Sequence, residues 1–118
     1  MKHLFLAVCL LLCSGALTAQ TLNIIPTPQH TEVGQGHFTF NANTRLAYKH
    51  KEAKEVAQYF AQKIQRTAGF PLQKGKMGAA GTITLELDAS IKGREAYQLT
   101  ITSDRVVAKA STADGLFY

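Results

Sequence analysis

Apolar and polar positions change their rhythm several times along this chain, and each change marks an element. Tyr97, Leu99 and Ile101 alternate with Gln98, Thr100 and Thr102, the period-two pattern of a strand with one buried face. Ser103-Asp104 supplies a polar turn and the β-rich run over 105–110 follows at once, so the pair predicts a hairpin. The same alternation puts Ile83, Leu85 and Leu87 on one face of a strand over 82–87. It puts Leu46 and Tyr48 on one face of a shorter strand over 45–48. Nearer the start, Pro26 and Pro28 predict a short extended segment over 23–29, because proline fixes φ and has no N–H for a central ladder. Residues 30–33 and 37–40 flank Gly34-Gln35-Gly36 and predict another hairpin, with Phe38 and Phe40 sharing a face.

Over residues 51–68 the period becomes helical. Ala53, Val56, Ala57, Phe60, Ala61, Ile64 and Ala68 recur at spacings of three and four, with Lys54, Glu55, Gln58, Gln62, Lys63 and Gln65 opposite. This predicts an amphipathic helix packed on a sheet, with Phe60 among its most buried side chains. Gly69 suits its C-terminal cap and Pro71 prevents continuation. Residues 73–81 read as a flexible surface loop. Their glycines do not make a phosphate loop, since no Gly-Lys-Ser/Thr ending is present and a strand follows. After Ala110 the alternation stops. Ser111, Thr112 and Asp114 are candidate caps of a second helix, and Leu116, Phe117 and Tyr118 form its first buried turn.

Strands linked by hairpins around one long helix imply an α+β two-layer sandwich: a mainly antiparallel sheet covered on one face by the helix. The second helix is truncated. One turn is not stable in water by itself, so the chain is expected to be a piece of a longer protein.

Composition narrows the picture from the other end. Residues 1–19 have a short basic start, the apolar run Leu4–Leu12, then small residues up to Ala19, the layout of a secretory signal peptide too short to span a membrane. That leaves 20–118 as one folded domain, incomplete at its C-terminus, and exported to a periplasmic or extracellular space. Both cysteines, Cys9 and Cys13, fall in the leader, so the mature chain has no disulfide, thiol nucleophile or cysteine metal site. Cys13 is a lipid-anchor position only in outline, because Leu12 stands where such signals carry a small residue. The formal charge is +5, but the lysines and arginines are scattered among acids without an aromatic platform, which argues against a nucleic-acid partner.

Candidate chemistry is sparse. Glu86 and Asp88 are the only carboxylates at strand-alternating spacing, and glycoside hydrolysis works with paired carboxylates. Both point away from Ile83, Leu85 and Leu87, toward solvent, with nothing nearby to raise one pKa. His30, His37 and His50 lie in or beside turns without a second ligand at metal spacing. No catalytic, cofactor or metal site is expected.

A resemblance accounts for this. Glu95-x-Tyr97-x-Leu99-x-Ile101, the turn, the Val107-Ala108-x-Ala110 strand and Asp114-Gly115-Leu116-Phe117-Tyr118 resemble the end of the N-terminal domain of bacterial β-N-acetylhexosaminidases, the glycoside hydrolase family that includes chitobiases. Ile24-Ile25-Pro26-Thr27-Pro28-Gln29, Gly36-x-Phe38 and the helix Glu52-Ala53-x-x-Val56-Ala57-x-x-Phe60 resemble its opening and its helix. Ala96 is a departure, since the family commonly has glycine there. The resemblance implies a two-helix α+β domain that precedes a (β/α)8 barrel. The barrel carries the catalytic Asp-Glu pair and all contact with glycan, and none of those residues is here. It implies a packing partner, the chain's own missing barrel, with Leu116, Phe117 and Tyr118 as the candidate packing surface toward the missing part of the helix and the barrel. The competing expectation is a free-standing exported module that binds carbohydrate or protein through its sheet.

Overall fold

The computed structural model describes residues 23–25 and 27–118; the expected signal peptide over 1–19, with Cys9 and Cys13, lies outside the described residues, as does Pro26. The chain divides into two compact units, 1–34 and 35–118. In the first, the described residues form neither helix nor strand, and nearly all are exposed. The hairpin expected from 30–33 and 37–40 does not form either. Two strands of four residues bury too little to hold together without a sheet to join.

Among the described residues, the second unit holds every element: β1 (Arg45–Tyr48), α1 (Lys51–Ala68), β2 (Gln73–Lys74), β3 (Thr82–Leu87), β4 (Tyr97–Ile101), β5 (Arg105–Ala110) and α2 (Ala113–Phe117). The strands make one sheet in the order β2-β1-β3-β5-β4. The α+β architecture is as expected, with one correction. The sheet is mixed, and the antiparallel character is confined to the β4–β5 hairpin. β1 runs parallel to both β2 and β3, and β3 parallel to β5. The long helix causes this: a chain that leaves β1, crosses the sheet as a helix and re-enters beside β1 arrives in the same direction.

Registers of the paired strands put Leu46, Ile83, Val106 and Ile101 in one row and Tyr48, Leu85, Ala108 and Leu99 in the next, all on one face. α1 lies over this face and seats itself with small residues. Ala53 and Ala57 are its buried positions, whereas Phe60 and Val56 are half-buried, so Phe60 is not the deepest residue of the helix. Leu46, Ile83, Leu85, Ala110 and Leu116 complete the buried core. Gly69 takes φ +80° and donates its N–H to the Gln65 carbonyl, ending the helix as expected.

The opposite face is less open than its polar residues suggest. Thr82 and Thr84 are buried, although they alternate with the apolar positions of β3. The segment expected to be a loose loop covers part of this face. Gln73–Lys74 pairs as an edge strand, and the following glycine lies so close that a Cβ at Gly75 would stand 2.8 Å from Arg45 Cβ and 3.1 Å from Thr82 Cγ2. Gly81 N–H then donates to the Asp104 carbonyl at 2.8 Å, Thr82 Oγ1 to the Ala79 carbonyl at 2.6 Å, and the Arg105 guanidinium to the Gly78 carbonyl.

Candidate functional site

The chain's last residues are held by a compact set of polar contacts. Ser111 Oγ donates to the Gly93 carbonyl at 3.0 Å, and Thr112 Oγ1 donates to the Arg94 carbonyl. Of the three candidate caps, Thr112 is the one used: it is extended, and its hydroxyl accepts from the Gly115 N–H at 3.2 Å. Arg94 Nε closes the arrangement on Asp114 Oδ2 at 2.7 Å. That hydrogen bond, aided by the opposite charge, pushes the Arg94 guanidinium further above its ordinary pKa. The turn before β4 and the start of α2 are thus tied together at the end of β5.

This framework splits the three candidate residues. Leu116 enters the core beneath α2, so only it behaves as a buried turn. Phe117 is 55% exposed and Tyr118 64% exposed. They do not stand alone: Phe117 packs against Tyr59 of α1 with ring centroids 5.1 Å apart, and Tyr118 meets the edge of Phe117 at 6.3 Å. Tyr59 belongs to this surface and was not assigned to it from the helical pattern. Its only signal was an aromatic on a helix flank otherwise occupied by lysine, glutamate and glutamine. Arg94, Glu95 and Asp114 line a shallow open cleft beside the two terminal aromatics.

The carboxylates are arranged differently from an acid–base pair. Lys109 Nζ stands 3.6 Å from Glu86 Oε2 and 3.7 Å from Asp88 Oδ2, so one cation serves both. Asp88 Oδ1 also accepts from Ser90 Oγ at 2.6 Å and Ser90 N–H at 3.0 Å. Those Ser90 bonds, with Lys109 a smaller cause, hold its carboxyl below the usual carboxylate range. A glycosidase acid requires a raised pKa, so Asp88 is shifted in the wrong direction for that task. Among the described residues His30 pairs only with exposed Glu32, at 3.1 Å, and His50 is the N-cap residue of α1 but its side chain makes no capping hydrogen bond. Among the described residues no three His, Cys, Asp or Glu side chains come together as a metal site, and no helix is long and apolar enough to cross a membrane.

Comparison with known proteins gives one family and a consistent set of folds. The family model described as "Glycosyl hydrolase family 20, domain 2" matches residues 21–118. No curated protein sequence matches the chain. A β-N-acetylhexosaminidase of that family from Streptomyces coelicolor A3(2) superimposes with a TM-score of 0.73 at 28% identity, over 80% of this chain and 19% of its own. An exo β-N-acetylglucosaminidase from Vibrio harveyi, solved with N-acetylglucosamine, gives 0.68 at 22% identity over 79% and 14%. The β-N-acetylhexosaminidase of Bacteroides fragilis NCTC 9343 gives 0.61 at 20% identity over 78% and 18%. The chain therefore spans less than a fifth of each of these proteins.

Proposed function

The chain belongs to glycosyl hydrolase family 20, as its domain 2, and from that membership we propose that it serves as the non-catalytic N-terminal domain of an exported β-N-acetylhexosaminidase. The family match over 21–118 is the observation that carries this reading. It is supported by Asp88, whose carboxyl is held low by hydrogen bonds from Ser90 and, to a smaller extent, by Lys109, the wrong direction for a hydrolase acid. The domain's task is to pack against and stabilise a (β/α)8 barrel that supplies the catalytic carboxylates and binds terminal β-linked N-acetylhexosamine. Phe117 and Tyr118 are the docking side chains, anchored from below by Leu116. The leader over residues 1–19 directs the protein to the periplasm or beyond.

An activity assay on two polypeptides tests this. The purified chain releases no chromophore from a p-nitrophenyl N-acetylglucosaminide, whereas the polypeptide that continues into a barrel does. In the longer protein Phe117→Asp lowers the melting temperature and leaves kcat/KM unchanged well below it. Hydrolysis by the chain alone, lost in Glu86→Gln, would overturn the reading. So would tight binding of chitin oligomers to the chain alone, lost in Tyr118→Ala, which would make it a free-standing carbohydrate-binding module.

A further inference from the structure

β1, β2, β3 and β5 run parallel, so all four begin at one end of the sheet, with Arg45, Gln73, Thr82 and Arg105 in one row. α1 leads from the end of β1 back to the start of β2, which brings its last turns to the same end. Lysines and arginines that are scattered in the sequence are sorted by this geometry. Within the second unit this end carries Arg45, Lys63, Arg66, Lys74, Lys76 and Arg105 against a single carboxylate, Asp104. The other end carries Lys49, Lys51, Lys54, Lys92, Arg94 and Lys109 against Glu52, Glu55, Glu86, Asp88, Glu95 and Asp114, so its charges balance. Among the described residues Arg94 and Lys109 form ion pairs, whereas none of the six cations at the first end does. Residues 1–22 contain no aspartate or glutamate that could supply one. Helix polarity accounts for Arg66, in the last turn of α1. It does not account for Arg45, Lys76 and Arg105, which belong to the sheet and the segment over 75–81.

We propose that this basic end of the domain binds an acidic polysaccharide through its uronate or sulfate groups. Arg45 and Arg105 stand two strand spacings apart, roughly 10 Å, on the sheet face turned away from α1. The segment over 75–81 ties them together: Gly75 lies against Arg45 Cβ, and the Gly78 carbonyl accepts from the Arg105 guanidinium. Lys76, exposed, lies between those two contacts in the chain. The planar forks of the arginines match oxyanions, and the lysines add point charges. An aromatic surface lies at the same end: the Phe40 and Phe70 rings stand 5.3 Å apart, and Phe40 is 37% exposed. The negative face of such a ring suits the C–H side of a sugar. A glycan is chosen over nucleic acid on the strength of the export proposed above. An anionic bilayer fits less well, because α1 turns its apolar stripe to the sheet and so has none for a membrane surface. The cations also lie on both layers, on the helix and on the strands, which a flexible polyanion can follow around the end.

Calorimetric titration of the purified chain with a heparin oligosaccharide tests this. The expected result is saturable binding that weakens as salt is added. Lys63→Glu combined with Lys76→Glu weakens it at least about tenfold, and far-UV circular dichroism shows that variant folded. Lys51→Glu combined with Lys92→Glu changes the net charge equally at the other end, and shifts the affinity by less than about twofold. The polypeptide that continues into a barrel binds as the chain does. Binding is read without hydrolysis, so this proposal and the function above fail separately. The proposal fails if the chain does not bind at millimolar oligosaccharide, or if both double variants weaken binding alike. It fails too if an uncharged chitin oligosaccharide competes equally well, if phosphatidylglycerol vesicles are bound more tightly, or if the longer polypeptide has lost the binding.

Discussion

Gly115 occupies a place where no side chain fits. A Cβ there would stand 2.7 Å from the Ala96 carbonyl oxygen and 2.8 Å from Ala110 Cβ, one of them backbone and the other fully buried. The first turn of α2 sits on the end of β5 only because this position is bare. Gly115→Ala is expected to cost about 1–3 kcal/mol by overpacking, read as a lower urea midpoint. The glycine–alanine difference at position 96 has no such consequence, because no described non-glycine residue, Ala96 included, has positive φ. Asp88 gives a prediction in pH. Its pKa is depressed by Ser90 and Lys109, so its contribution to stability is present above the ordinary aspartate value and is lost as pH falls toward the lowered one. Asp88→Asn should therefore lower the melting temperature near neutrality, and the gap from the native chain should close in acid. A gap that persisted unchanged at low pH would show that the charge is not the cause.

At the scale of elements, the helix shows how local and tertiary information part company. Its bounds were legible because period, Gly69 and Pro71 are all read within the segment itself. Its depth was not. Ala53 and Ala57 are the buried positions, and the larger Phe60 is displaced to the flank by the close approach they permit. Phe60→Ala is accordingly expected to cost about 2 kcal/mol, less than a fully buried phenylalanine, and Gln62→Ala under about 0.5. Chemical denaturation of both variants checks the ranking; equal losses would mean the helix is rotated. The β4–β5 hairpin was legible for the same reason as the helix, since its turn lies between its strands. Parallel pairing of β1, β3 and β5 was not, because alternation records which face is buried and carries nothing about direction. The burial of Thr82 and Thr84 was not legible either, since the segment that covers them comes from outside the strand, and among the described residues the buried Thr84 hydroxyl has no hydrogen-bond partner. At the candidate site, Leu116, Phe117 and Tyr118 were visible as an apolar cluster. Their division into one anchor and two exposed rings depends on Tyr59, which lies far away in the chain.

For the whole molecule, the seam between β1 and β3 decides what must happen before anything is stable. It pairs Arg45 with Thr82 across the entire helix and the loop behind it. The helix and the hairpin can form from neighbouring residues, but neither has a core until this seam closes. Ala47, fully buried opposite Thr84, lies at its middle. Ala47→Gly should slow refolding more than it speeds unfolding, as measured by the two arms of a chevron; the reverse split would place the seam after the rate-limiting step. A sheet whose central contacts are this distant along the chain assembles late and all at once, for the loop must be closed before any contact rewards it. That lateness suits the export proposed above: a chain that reaches its native state slowly stays threadable for longer, and a pore can take it residue by residue before the seam locks.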